Sequence, residues 1–170
     1  EKAALIRSAQ TDALTGVYNK ENTQNMIDEI LRKKDPDSFH GFLILDMDHF
    51  KEVNDVYGHA MGDKVLEMLG NFLKKQFREQ DVIGRIGGDE FVILLYNIGS
   101  RQNMENRVKS LQEKIREIHM DGMEGHTFTL SAGIAFAPQD GDTFMELYQK
   151  ADLALYQVKR SGRNGYRIYK

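Results

Sequence analysis

Apolar residues recur along the chain at two spacings, one helical and one extended. Met26, Ile27, Ile30 and Leu31 share a helical face, which predicts a helix from Asn19 to about Lys34, stopped by Asp35-Pro36-Asp37. The run Phe42-Leu43-Ile44-Leu45 has no polar interruption, so the strand Phe39–Met47 is expected to be central and covered on both faces. Val65, Leu66, Leu69, Phe72, Leu73 and Phe77 repeat at i, i+1, i+4, i+7 and i+8, the strongest helical period present, over Gly62 to about Phe77. Val82–Ile86 and Phe91–Tyr96 are two short apolar runs around Gly87-Gly88-Asp89-Glu90, the pattern of a β-hairpin carrying both acids at its tip. Met104, Val108, Leu111, Ile115 and Ile118 predict a further helix, and Phe128 to Phe136 alternate as a strand over Thr127–Phe136. A last helix carries Phe144, Leu147, Tyr148, Ala151, Ala154, Leu155 and Val158, and stops at Ser161-Gly162-Arg163-Asn164-Gly165. Tyr166–Tyr169 can add an edge strand. Helices alternating with strands around a hairpin imply an α+β fold of the ferredoxin-like class, a mixed and mainly antiparallel sheet flanked by helices.

Composition narrows the chemistry. The 170 residues suit one ordinary domain, and 2 Pro against 15 Gly argues against a long linker. With 23 Lys and Arg against 26 Asp and Glu the net charge is −3, so no basic field exists to hold nucleic acid, and none is expected as a partner. The absence of Cys excludes disulfides, thiolate metal sites and a cysteine nucleophile, and fits a cytoplasmic domain. Glu1 to Arg7 is too short and charged for a secretory signal, and residues 1–10 read as the end of a helix entering from a preceding domain. The first residue is not Met, so the sequence is expected to be a piece of a longer protein, which leaves a membrane anchor elsewhere in it open.

The candidate chemistry is carboxylate. Strand alternation puts Asp46 and Asp48 on one face with Met47 on the other, and two acids closing a buried strand are costly unless paired. If the hairpin lies beside that strand, Asp89 and Glu90 converge on them, giving a hard-oxygen site for magnesium and substrate phosphates. The plain alternative is that these acids only solubilise strand ends and a turn. A calcium loop beginning at Asp46 fails, because Phe50 and Lys51 stand where an oxygen ligand and Gly are needed. The five histidines, at 40, 49, 59, 119 and 126, lack zinc spacing and read as surface or loop residues.

The string Arg85-Ile86-Gly87-Gly88-Asp89-Glu90-Phe91 resembles the signature of the GGDEF family of diguanylate cyclases. Other segments match the family in order: Asp12-Ala13-Leu14-Thr15-Gly16-Val17-Tyr18-Asn19-Lys20, then Asp46 to Asp55 running on to Gly58-His59 and Gly62-Asp63. Ser131-Ala132-Gly133-Ile134-Ala135, Ala151-Asp152-Leu153-Ala154-Leu155-Tyr156, Lys159 and Gly162-Arg163-Asn164 complete it, so the likeness runs from about 11 to 165. Lys20, Ile86 and Val158 depart from the commonest family residues and touch no expected ligand.

This resemblance implies a nucleotidyl-cyclase palm fold with a catalytic hairpin, a GGDEF catalytic domain over 11–170, and condensation of two GTP to cyclic di-GMP with release of two pyrophosphates. It implies a homodimer, one GTP per subunit, and an upstream sensory or membrane domain. Asp46, Asp89 and Glu90 would be catalytic. The same three, with the Met47 carbonyl, would hold two magnesium ions, or manganese, and Glu90 would assist deprotonation of the 3′-hydroxyl. Asp48 stays outside that set. Asn54 and Asp63 would read guanine, whose N1–H and N2–H₂ suit a carboxylate acceptor; as plain residues they would be loop and helix N-cap positions. Phe50 and Lys51, with Lys159 and Arg163 four apart at the end of the last helix, would bind phosphates, or else merely complement a helix dipole. Gly87 and Gly88 would form the turn and admit the α-phosphate. Arg78 and Asp81 occupy the family's RxxD product-inhibition position, where the plain alternative is a helix-end salt bridge. The other function class is a silent module that binds GTP or cyclic di-GMP and regulates an attached domain; a different cyclic dinucleotide product is made less probable by Asp63.

Overall fold

A computed structural model describes residues 9–170; of the helix expected over 1–10, residues 1–8 lie outside the described residues, and 9 and 10 are helical. The first strand, β1 (His40–Met47), is buried along its whole length. It pairs antiparallel with β3 (Glu90–Leu95) on one side and antiparallel with β4 (Leu130–Ala137) on the other. β2 (Val82–Gly87) extends the sheet antiparallel beyond β3, and β5 (Gly165–Ile168) runs parallel to β4, giving the order β2-β3-β1-β4-β5. The sheet is thus mixed and mainly antiparallel, as the periodicity predicts.

Helices cover both faces, which explains why the Phe42–Leu45 stretch of β1 has no polar position. Leu43, Leu45 and Met47 point into a cluster with Val65, Leu69 and Leu73 of α3 (His59–Gln76) and Met104, Val108 and Ile115 of α4 (Arg101–Arg116). Phe42 and Ile44 face the opposite cluster, with Ile27 and Leu31 of α1 (Lys20–Arg32) and Phe144, Leu147, Ala151 and Leu155 of α5 (Phe144–Arg160). Each fully buried side chain of this kind adds about 2 kcal/mol before cavity terms, so the register of β1 is fixed by its interior. Asp46 continues the even-numbered face and therefore meets α5, whereas Met47 joins the other layer. Gly133 of β4 lets α5 lie directly on the sheet: a Cβ there would come within 2.0 Å of the Ala151 carbonyl oxygen and 2.6 Å of the Leu155 nitrogen.

Local chemistry sets the boundaries. Asn19 caps α1 by accepting from the Asn22 amide at 2.9 Å, and Thr143 caps α5 by accepting from Glu146. Several expectations are corrected. The segment after β1 contains an unanticipated helix, α2 (Phe50–Tyr57), whose apolar contribution is concentrated in the buried Val53 and half-buried Phe50. Gly58, at φ 90, separates α2 from α3, so α3 starts at His59 rather than Gly62 and Asp63 lies inside the helix rather than at its cap. β4 starts at Leu130 rather than Thr127, although the Asp48 amide still donates to the Thr129 carbonyl at 2.9 Å one step beyond it. Glu90 opens β3 instead of riding on the hairpin tip, and pairs across to Gly87 and to Asp46. His40 is neither surface nor loop: it begins β1, is buried, and its Nδ1 accepts from the Asn97 amide at 2.8 Å.

Candidate active site

At the carboxyl end of β1, a cavity of about 280 Å³ is lined by Asp46, Met47, His49, Phe50, Lys51, Glu52, Asp89, Lys159 and Arg163. It draws on four places in the chain: the β1 end, the start of α2, the hairpin turn and the end of α5. A larger groove of about 1150 Å³ lies between α5 and β5, lined among others by Tyr156, Arg160 and Tyr166. Neither Asp46 nor Asp89 lines it; both line the smaller cavity.

The two strand-end acids have opposite surroundings. Asp48 is buried with donors on both oxygens: it accepts from the Ser131 hydroxyl at 2.6 Å, the Thr129 hydroxyl at 2.7 Å and the Asn164 amide at 3.0 Å. Asp46 has its Oδ2 on the Lys159 ammonium, while its Oδ1 is buried without a hydrogen-bond partner. An orphaned carboxylate oxygen on a residue that lines a cavity with Asp89 fits a hard cation. Among the described residues no three His, Asp or Glu side chains gather tightly enough to hold a metal by themselves.

Burial, first, and then mutual repulsion raise the proton affinity of the cluster. Burial pushes the Asp46 carboxyl up, with Asp48 and Asp152 adding to the rise and Lys159 opposing it. Asp89 is raised by burial and by the charge of Asp46. Glu90 is raised by burial and by Asp46 and Asp152, against a hydrogen bond donated to its Oε1 by the Tyr148 hydroxyl. The Tyr148 ring stacks on Phe144, centroids 5.6 Å apart, and Phe144 meets Phe42 edge-on at 5.5 Å, so the hydroxyl is held from the core. Burial and Glu90 raise the Tyr148 phenol well above its ordinary value, which keeps it a donor.

The hairpin turn is braced from outside the motif. Arg85 donates to the Gly88 carbonyl at 2.8 Å and pairs with Asp12 at 3.2 Å, and Asp12 in turn accepts from the Thr15 amide and hydroxyl. Gly88, at φ 47, takes the left-handed conformation expected of it, and added Cβ atoms at Gly87 and Gly88 would meet nothing.

The expected phosphate ligands meet at the cavity, with one correction. α5 ends at Arg160, so Arg163 is not on the helix face of Lys159 but beyond the end, at φ 66 after Gly162 at φ 106. Both residues still line the cavity beside Phe50 and Lys51 at the start of α2. Asn54 and Asp63 do not line it. Their neighbourhood is nevertheless shared: a Cβ at Gly62 would fall 1.9 Å from Asn54 Oδ1, which puts the amide against the residue before the exposed Asp63. Arg78 and Asp81 form the helix-end salt bridge at 3.2 Å, and the fully buried Asp81 carboxylate also accepts from the Arg78 and Tyr96 amides, both at 2.9 Å. Tyr148, Arg85 and the Asp48 partners escaped the sequence reading, and a lone Arg inside the apolar run of β2 was the one available signal for Arg85.

Residues 9–165 match the family described as "Diguanylate cyclase, GGDEF domain". The chain is 36% identical over 173 residues to the diguanylate cyclase TpbB of Pseudomonas aeruginosa, covering 99% of this chain and 39% of that protein. It is 35% identical to the diguanylate cyclase DgcS of Shewanella oneidensis, covering 96% of this chain and 54% of that one. It therefore spans about half or less of these curated relatives. Among solved structures, the isolated GGDEF domain of TpbB from Pseudomonas aeruginosa superposes with a TM-score of 0.88 at 31% identity, covering 94% of each chain. A microbial GGDEF domain described in a novel interaction mode with cyclic di-GMP gives 0.80 at 31% identity, covering 97% of this chain and 98% of that one.

Proposed function

Because the chain belongs to the GGDEF family, as the match over residues 9–165 shows, we propose that it is the catalytic domain of a diguanylate cyclase, joining two GTP into cyclic di-GMP with release of two pyrophosphates. The observation that carries this reading is the single cavity in which Asp46 and Asp89 meet Lys159, Arg163 and the start of α2. Acids for a metal and cations for a triphosphate are what attack of a ribose 3′-hydroxyl on an α-phosphate requires.

Asp46, Asp89, Glu90 and the Met47 carbonyl would hold two magnesium ions, or manganese, which neutralise phosphate charge and lower the proton affinity of the attacking hydroxyl. Lys159, Arg163 and Lys51 bind the phosphates, joined by the Phe50 and Lys51 amides at the positive end of α2, which no side chain caps. Glu90 takes up the 3′-hydroxyl proton, a role that suits a carboxylate whose proton affinity burial has raised. Asn54 and Asp63 accept and donate along the guanine edge from the α2–α3 corner. One domain presents one half of the reaction, so the active species is a homodimer with one GTP per subunit. Residues 1–10 end the linker from an upstream sensory or membrane domain, and 11–170 form the catalytic unit. Among the described residues no helix is long and apolar enough to cross a membrane; the catalytic domain works in the cytoplasm, where its substrate is. Cyclic di-GMP also inhibits through Arg78 and Asp81, with Arg78 stacking on guanine or pairing with phosphate. Because Asp81 is spent on the fold, Arg78 carries most of that contact.

The test is chromatography of nucleotides after incubation with GTP and magnesium over a wide range of protein concentration, beside Glu90→Ala. The expected result is cyclic di-GMP whose rate rises faster than linearly with concentration, its absence in Glu90→Ala, and relief of product inhibition in Arg78→Ala. Intact GTP, with GTP and cyclic di-GMP both still bound, would replace this reading with a regulatory module.

A further inference from the structure

Lys159 stands in an unusual place for a phosphate ligand. Its ammonium is on Asp46 Oδ2, one of the acids that line the cavity, and so on a carboxylate proposed to hold metal. The approach is built into α5: side chains on a helix lean toward its N-terminus, so Lys159 in the last turn reaches back over the end of β1. Asp46 is almost fully buried, at 8% exposure, while Lys159 keeps 34%, so the lysine is the member of the pair that solvent and a ligand can reach. It also lies close enough to Asp89 and Glu90 to offset the repulsion among the acids. Arg163 lines the same cavity and makes no ion pair with any of them among the described residues. A cation already on the inner carboxylate competes directly with a second cation for it.

We propose that Lys159 is the exchangeable resting partner of Asp46: the phosphates of an arriving nucleotide draw its ammonium off Oδ2, and a divalent ion then meets no competing cation on that carboxylate. The proposal rests on the reading of this cavity as a metal-dependent nucleotide site. It makes metal and nucleotide binding mutually supportive, since each removes an obstacle to the other. Only Oδ2 is held by the removable cation, and Oδ1 beside it is buried without a hydrogen-bond partner.

The probe is Mn²⁺ alone, without nucleotide, measured by electron paramagnetic resonance on the folded domain. Lys159→Met is expected to bind Mn²⁺ about tenfold more tightly than the parent, as loss of one directly competing charge would give. Arg163→Met, which removes the same charge from the same cavity, should stay within about twofold. In an Asp46→Asn background the Lys159→Met gain should vanish, which separates a direct contact from a general change of field. Equal binding by parent and Lys159→Met, or an equal gain in Arg163→Met, overturns the proposal. Lys159→Gln supplies a second neutral variant should the methionine fail to fold. Because no turnover is read, failure to make cyclic di-GMP and failure of the exchange are separate results.

Discussion

Asp46 and Asp48 sit two residues apart at the end of the same strand, and the protein treats them in opposite ways. Asp48 receives three donors from two distant segments and ties the β1 end to the start of β4 and to the turn before β5. Asp46 is left with one flexible lysine and a buried oxygen that nothing satisfies. A carboxylate with donors on both oxygens is a structural tie; one with a buried oxygen unsatisfied beside other acids is a candidate for binding something that is not protein. Identical chemistry, same face, same burial: the partners alone divide anchor from site.

The sharpest way to break this contrast is to exchange which property each substitution costs. Asp46→Asn should reduce turnover by about three orders of magnitude. It should leave the urea midpoint unchanged or slightly raised, because a repelled charge is gone from a crowded pocket. A large loss of stability in Asp46→Asn would make it a second anchor. Asp48→Ala should do the reverse, lowering stability by about 3 kcal/mol because the Thr129, Ser131 and Asn164 donors lose their acceptor. Equilibrium urea unfolding reads this directly.

Much of this was written in the chain and some was not. The uninterrupted β1 run and the long period of α3 announce themselves because burial on two faces and on one face leave different spacings. α2 stayed hidden because a short helix with exposed Val56 and Tyr57 has little apolar face to repeat. His40 was misplaced because a histidine at a strand start looks polar, and only the Asn97 amide, 57 positions away, turns it into a core acceptor. The acids of the site were legible as an ordered set of motifs. Their partners were not: Tyr148 lies 58 residues from Glu90 and Lys159 lies 113 from Asp46, and no local period encodes either meeting.

A smaller effect sharpens the contrast from the side of Glu90, which has one donor where Asp48 has three. Tyr148→Phe keeps the ring stack and deletes the hydroxyl, so turnover should fall about tenfold while stability changes by less than about 1 kcal/mol. The loss should sit in kcat rather than KM, and the acid limb of the pH–rate profile should move to higher pH, because the donor that favours the Glu90 carboxylate is gone. A change in KM alone would reduce Tyr148 to a packing residue. The smallest effect concerns a polar group spent wholly on the fold. Burial holds the His40 imidazole below its ordinary 6.5, so as pH falls the unfolded chain takes up the proton first. Stability should therefore be level above 6.5 and decline below it, down to the depressed value of the folded state. Urea midpoints at about pH 7.5 and about pH 5.5 measure the slope, and His40→Gln, which keeps an acceptor for Asn97, should flatten it.

Gly133 has a consequence larger than its size. Tyr148 and Lys159 sit eleven residues apart on α5, three helical turns and hence on one side, and both depend on how near that helix lies to the sheet. The hydrogen of Gly133 is the shim that sets this clearance. A methyl group inserted there would raise the helix like a lever on a fulcrum, and the two carboxylates would lose their partners in one movement although nothing in the cavity had been touched. The working dimension of the site is thus gauged from behind, by a side chain the protein does not have.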